Sequence, residues 1–127
     1  MNKEKRFILY GIDNLNQISA EISNLLKNSL DDFDLKLILS EALSNAFIHG
    51  NKKDKSKPIY LCFTLKGNLI KFEIKDAGAA SGEFIIPDEI SEENILNDHG
   101  RGLFLLKCFT DSIEFKNNTL ILTKKIS

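Results

Sequence analysis

Apolar and polar residues recur along this chain with two different periods, and each change of period marks an element. Arg6–Tyr10 is a β-branched and aromatic run ended by Gly11, which predicts a first strand at a sheet edge. Leu15, Ile18, Ile22, Leu25 and Leu26 follow at helical spacing, so a first helix is expected to reach about Lys27, capped by Asp13 or Asn14. Asn28–Asp32 breaks that pattern. Asp31 or Asp32 caps a second helix whose inward stripe is Leu35, Ile38, Leu39, Ala42, Leu43 and Ala46. Asn51–Lys57 is polar and lysine-rich and reads as a solvated loop. Ile59–Leu65 then alternates as a strand, Gly67-Asn68 supplies a tight turn, and Leu69–Ile74 is the returning strand, with Asp76 at its end.

Ala77–His99 has little periodicity. It carries Gly78, Gly82, Pro87 and the acidic Asp88, Glu89, Glu92 and Glu93, with a weak helical signal over Ile90–Leu96. So long a structureless stretch inside a compact domain points to a functional lid. Gly100–Phe109 reads as a glycine-rich entry into a third helix, with Leu103, Leu106 and Phe109 inward. Asp111–Phe115 is a strand, Lys116–Asn118 a turn, and Leu120–Ile126 the last strand. The order β-α-α-β-β-lid-α-β-β predicts an α/β two-layer sandwich. Its sheet would have about five strands, mixed but mostly antiparallel, with three helices on one face.

Composition narrows the class without choosing a chemistry. The 127 residues form one domain with enough material for a core, at 43% hydrophobic and 28% charged. A net charge of −1 gives no basic field, so no direct nucleic-acid contact is expected. No apolar run approaches the roughly 18–20 residues of a membrane span, and the polar Met1–Arg6 is not followed by an apolar signal region. Cys62 and Cys108 lie in apolar stretches without metal spacing. They read as reduced core residues of a cytoplasmic protein.

Three segments carry candidate chemistry. In Ser40–Asn51, S-E-A-L-S-N-A-F-I-H-G-N, the residues Glu41, Asn45 and His49 fall at i, i+4 and i+8. Each step of four drifts by only about 40° on an α-helix, so all three leave one side of it, beside the core-facing stripe. Asp76-Ala77-Gly78 ends a strand, where a buried carboxylate can accept a hydrogen bond from an amine, as an adenine-type base requires. His99-Gly100-Arg101-Gly102 opens a helix, where bare backbone N–H groups and the positive dipole end suit a phosphate chain. The amide oxygen of Asn45 is a hard ligand suited to Mg²⁺.

In this order and spacing the chain resembles the ATPase superfamily of gyrase, MutL, histidine kinases and heat-shock chaperones. Within that superfamily it is most similar to the small anti-sigma-factor serine kinases of bacterial sporulation and stress switches. The resemblance runs from about Leu35 to the end, and more loosely over the first strand and helix. Its carriers are Glu41–Asn51, Asp76–Gly78, His99–Lys107 (H-G-R-G-L-F-L-L-K) and Asn118–Lys124 (N-T-L-I-L-T-K). No phosphoacceptor helix with its histidine is present.

The resemblance implies a single histidine-kinase-like ATPase domain over residues 1–127 whose lid, about 77–99, closes over ATP. It gives Asn45 the Mg²⁺ bridging the ATP phosphates, and Glu41 the role of a base that orients or deprotonates a serine or threonine hydroxyl. Asp76 binds the adenine amino group, and Gly78 lets the backbone come close. Gly100 and Gly102, with Leu103 in the same turn, wrap the phosphates, and Arg101 contacts them. His49 either lines the site or satisfies the end of the second helix. The implied partners are a sigma factor, which the protein sequesters, and an anti-sigma-factor antagonist of the STAS type, which it phosphorylates. Homodimerisation is a family expectation. The pattern departs from the family at two places: Ala80 stands where D-x-G-x-G has its second glycine, and Asn118-Thr119 replaces a glycine–threonine pair. A second function class therefore stays open, a catalytically weak or inactive ATP-dependent partner-switch module. A detached histidine-kinase ATPase domain is a third.

Overall fold

The computed structural model describes residues 2–27, 30–78 and 105–126. Five strands form one sheet, β1 (Lys3–Leu9), β2 (Ile59–Lys66), β3 (Leu69–Lys75), β4 (Ser112–Lys116) and β5 (Thr119–Lys125), in the order β1-β2-β3-β5-β4. Helices α1 (Leu15–Leu26) and α2 (Asp32–Asn45) pack on one face, and residues 105–109 are helical. This is the expected two-layer α/β sandwich. The sheet, expected to be mixed and mostly antiparallel, is antiparallel at every pairing. β2–β3 and β4–β5 are hairpins, and β4 runs in the same direction as β3 with β5 between them, so that every direct pairing stays antiparallel.

Period-two alternation decides which face meets the helices. Ile59, Leu61, Phe63 and Leu65 of β2, Ile70, Phe72 and Ile74 of β3, and Leu120 and Leu122 of β5 are buried. The registers put Phe63 opposite Phe72 and Phe72 opposite Leu122. The two rings sit 5.6 Å apart, tilted by 45°, a geometry that adds to the roughly 1.5–3 kcal/mol each gains by leaving water. Leu35, Ile38, Leu39, Ala42 and Leu43 of α2 and Ile18, Ile22 and Leu26 of α1 complete the core.

Local chemistry sets the ends. The Asp31 carboxylate accepts from Phe33 N–H at 2.8 Å, while Asp32 and Asp34 place negative charge in the first turn of α2. At α1 the cap position is Asn14, which makes no side-chain cap bond, and Asp13 instead pairs with Lys55 at 3.4 Å. The helix stops at Lys27, in the left-handed region at φ 49°. Gly67 turns β2 into β3 with φ +59°, and the β4–β5 turn is built from Asn117 and Asn118, both with positive φ.

Three expectations change. β1 starts at Lys3 rather than Arg6, because pairing continues to Lys3 opposite Leu65. Neither cysteine is a core residue: Cys62 shares the outward phase of Tyr60 and Thr64 and is half-buried, and Cys108 is exposed. Asn51, counted in the solvated loop, is fully buried. Residues 52–56 of the loop are exposed as expected, and Lys57 is half-buried. The lid from residue 79 and the first turn of the third helix lie outside the described residues. No helix among the described residues is long and apolar enough to cross a membrane.

Candidate functional site

The second helix does not simply stop. It widens into a π-helical segment, Ala46–Gly50, closed by Asn51 N–H to Ala46 C=O at 2.8 Å. Such segments are rare and concentrate at functional sites. His49 lies within the π-helical segment, past the α-helical turns that carry Glu41 and Asn45. Glu41 and Asn45 are half-buried, whereas His49 is exposed.

The widened turn delivers Gly50 onto the end of β3. A Cβ built on Gly50 would overlap Asp76 Oδ2 and Cγ and lie 2.6 Å from Asp76 Cβ. A Cβ on Gly78 would overlap the Gly50 carbonyl oxygen. Two glycines, from segments far apart in sequence, are therefore required by one close approach. Asp76, only 9% exposed, is trapped in it. Its Oδ1 accepts from Gly78 N–H at 2.9 Å, and its own N–H donates to Asn118 C=O at 3.3 Å.

Two asparagines tie this corner together. The Asn51 side chain accepts from Ala77 N–H at 2.8 Å and donates to Lys57 C=O and Pro58 C=O at 3.1 and 3.2 Å. Asn118 Nδ2 donates to Gly78 C=O at 3.0 Å. Sequence reading placed Asn51 inside its motif without a role, and gave Asn118 a turn position, a place in the closing stretch of the resemblance and a departure from the family pattern, but no role in the site. The available signal for Asn51 was a short amide directly after His-Gly at a helix end, where backbone groups need partners. For Asn118 it was an Asn-Asn turn facing Asp76 across the sheet.

Asn45 differs in kind. Its Nδ2 is buried and has no hydrogen-bond partner among the described residues. An unpaired buried amide nitrogen costs about 1–3 kcal/mol, a cost that folds accept chiefly at functional positions. Among the described residues no group of three His, Cys, Asp or Glu side chains could hold a metal. The Asn45 side-chain oxygen is a hard donor of the kind that ligates Mg²⁺ together with waters and phosphates.

The structure thus brings together Asp76 and Gly78 of the expected site with Gly50, for which the sequence pattern signalled no site role, and has Asn45 and Glu41 on the helix leading into them. Gly100, Arg101, Gly102 and Leu103, the expected phosphate-wrapping residues, lie outside the described residues. A groove lined by Lys3, Glu4, Lys66, Lys71 and Glu73 lies at the other end of β2 and β3 from Asp76.

The family model described as "Histidine kinase-like ATPase domain" matches residues 13–124. The chain is also similar to proteins named "Anti-sigma F factor" from Bacillus cytotoxicus, Bacillus thuringiensis and Bacillus mycoides. Each is 27% identical over 119 residues, which span 87% of this chain and 80% of the relative.

Proposed function

Because the chain belongs to the family of histidine kinase-like ATPase domains, we propose that it binds Mg-ATP at the α2–β3 corner and acts in the cytoplasm as an anti-sigma factor. On this reading it also phosphorylates a serine or threonine of a STAS-type antagonist and releases its sigma factor in exchange. The observation that supports the nucleotide reading is Asp76 itself: a buried carboxylate at the end of β3, held against Gly50 and Gly78 where the helix bearing Glu41 and Asn45 meets the sheet. The relatives' name supports the sigma-factor partner.

On this reading each residue has a distinct part. Asp76 accepts a hydrogen bond from the 6-amino group of a purine. Asn45 would hold Mg²⁺ through its side-chain oxygen, the ion supplying charge neutralisation for the phosphates when bound. Glu41, one helical turn before Asn45 and half-buried, aims the incoming hydroxyl and takes its proton. Phosphoryl transfer asks the protein mainly for positioning and electrostatics, and a carboxylate and a carboxamide on one helix face supply both.

The test is to mix the protein with Mg-ATP and an antagonist protein encoded near it, and to read an added phosphate by mass. Transfer by wild type and its loss in Glu41→Ala, with ATP affinity retained, is the expected result. Tight ATP or sigma-factor binding without transfer in wild type would replace the kinase by the non-catalytic switch module.

A further inference from the structure

Asp76 can read a base only if its carboxylate points in one direction, and its own hydrogen bond to Gly78 N–H does not fix that direction. That bond ties the side chain to a segment, residues 76–78, which has left the sheet and no longer has ladder bonds to hold it. What holds the segment is a pair of asparagines from elsewhere, through the side chain of each and the main-chain carbonyl of one. Asn51 reaches it from the helix side, accepting from Ala77 N–H at 2.8 Å, and is itself anchored by two donated bonds to Lys57 and Pro58 carbonyls. Asn118 reaches it from the sheet side: its side-chain amide donates to Gly78 C=O at 3.0 Å and its main-chain carbonyl accepts from Asp76 N–H at 3.3 Å. Every residue of the segment is thus gripped by one asparagine or the other.

We infer that Asn51 and Asn118 are positioning residues that set nucleobase preference, clasping residues 76–78 from both sides so that the Asp76 carboxylate meets a 6-amino purine. The inference rests on the reading of Asp76 given above. Neither asparagine needs to touch the nucleotide. Asn118 is suited to the task because it sits in the left-handed region at φ 62°, which asparagine tolerates, and so presents its side chain and its carbonyl to the same strand end.

The test compares ATP with inosine triphosphate, which carries a carbonyl in place of the 6-amino group. Dissociation constants for both are measured with the full chain, as wild type, Asn118→Gly, Asn118→Asp and Asn51→Ala. Glycine at 118 keeps the positive φ and the backbone bond from Asp76 and removes only the amide donor. Aspartate turns that donor into a repelled acceptor. Wild type is expected to prefer ATP. Asn118→Gly should narrow the ATP-to-inosine ratio roughly three- to tenfold, the worth of one neutral hydrogen bond, through weaker ATP binding alone. Asn118→Asp should narrow it further. Equal weakening toward both nucleotides, or an unchanged ratio, overturns the inference, since a merely structural role lowers both together. A wild type without preference overturns the reading of Asp76 itself, and the two failures are told apart by that one measurement. Asn51 is fully buried, so Asn51→Ala is read only if it melts cooperatively; the two Asn118 variants decide the question in any case.

Discussion

Replacing Gly50 by alanine probes the corner with a single methyl group. Its φ is not in the left-handed range, so the backbone accepts alanine and only space is at issue. The new Cβ would overlap Asp76 Oδ2 and Cγ and lie 2.6 Å from Asp76 Cβ. Rotating the carboxylate away does not clear the Cβ, so the end of β3 or the π-helical turn must also shift. Overpacking of this kind costs about 1–3 kcal/mol. With an unfolding entropy near 2.1 cal/mol/K per residue over 127 residues, that lowers Tm by roughly 4–11 °C. The displaced carboxylate would lose the bond proposed for it to the purine amine, worth about 1.5–3 kcal/mol, so the Kd for ATP should rise roughly ten- to 150-fold. Calorimetric titration and a thermal melt on the same sample read both numbers. Gly67→Ala is the control: nothing lies within 4 Å of its Cβ, but φ is +59°, so it should cost about 1–2 kcal/mol of stability and leave ATP affinity unchanged. A Gly50→Ala protein with wild-type Tm and wild-type ATP affinity would refute the close approach on which the site is built.

Three further outcomes are expected. Asp76→Asn keeps the shape but offers an amide where a charged acceptor stood, and should weaken ATP roughly tenfold or more by fluorescence titration. Phe72→Ala, at the centre of the sheet's buried face, should cost about 3–5 kcal/mol in a urea transition, a large share of a domain's usual stability. The Asp54 carboxyl is held below its ordinary range, first by the Ser56 hydroxyl and then by Ser56 N–H. A depressed folded pKa means its contribution is present above the ordinary carboxylate value and fades as pH falls through the folded value. Ser56→Ala should move the Asp54 titration upward, as followed by carboxyl NMR, with no change in ATP binding.

Much of this was legible in the sequence because the periods are clean. The stripe Leu35-Ile38-Leu39-Ala42-Leu43 and the alternation through Phe63 and Phe72 have one core-facing solution each, and Gly67-Asn68 fixes the hairpin between β2 and β3. Asp76 was legible as a strand-end acid. What was not legible depends on tertiary approach. The π-helical turn is invisible to a pattern that assumes 3.6 residues per turn, so nothing in the sequence signalled that the helix widens from Ala46 onward. The need for Gly50 and Gly78 is mutual, each required by the other's backbone, and no local signal carries that. Asn51 looks like any polar residue opening a lysine-rich loop until Ala77, Lys57 and Pro58 are seen around it. Cys62 sits in an apolar run, yet the pleat turns it outward.

The most direct measurement of the central claim is an amide-resolved NMR titration of the isotopically labelled chain with Mg-ATP. The account predicts saturable shifts at Gly50, Ala77 and Gly78 and at the side-chain amide of Asn45, with the β2–β3 hairpin around Gly67 unmoved. Saturable shifts confined to the hairpin end, near Lys66 and Lys71, with Gly50, Ala77 and Gly78 silent, would contradict it.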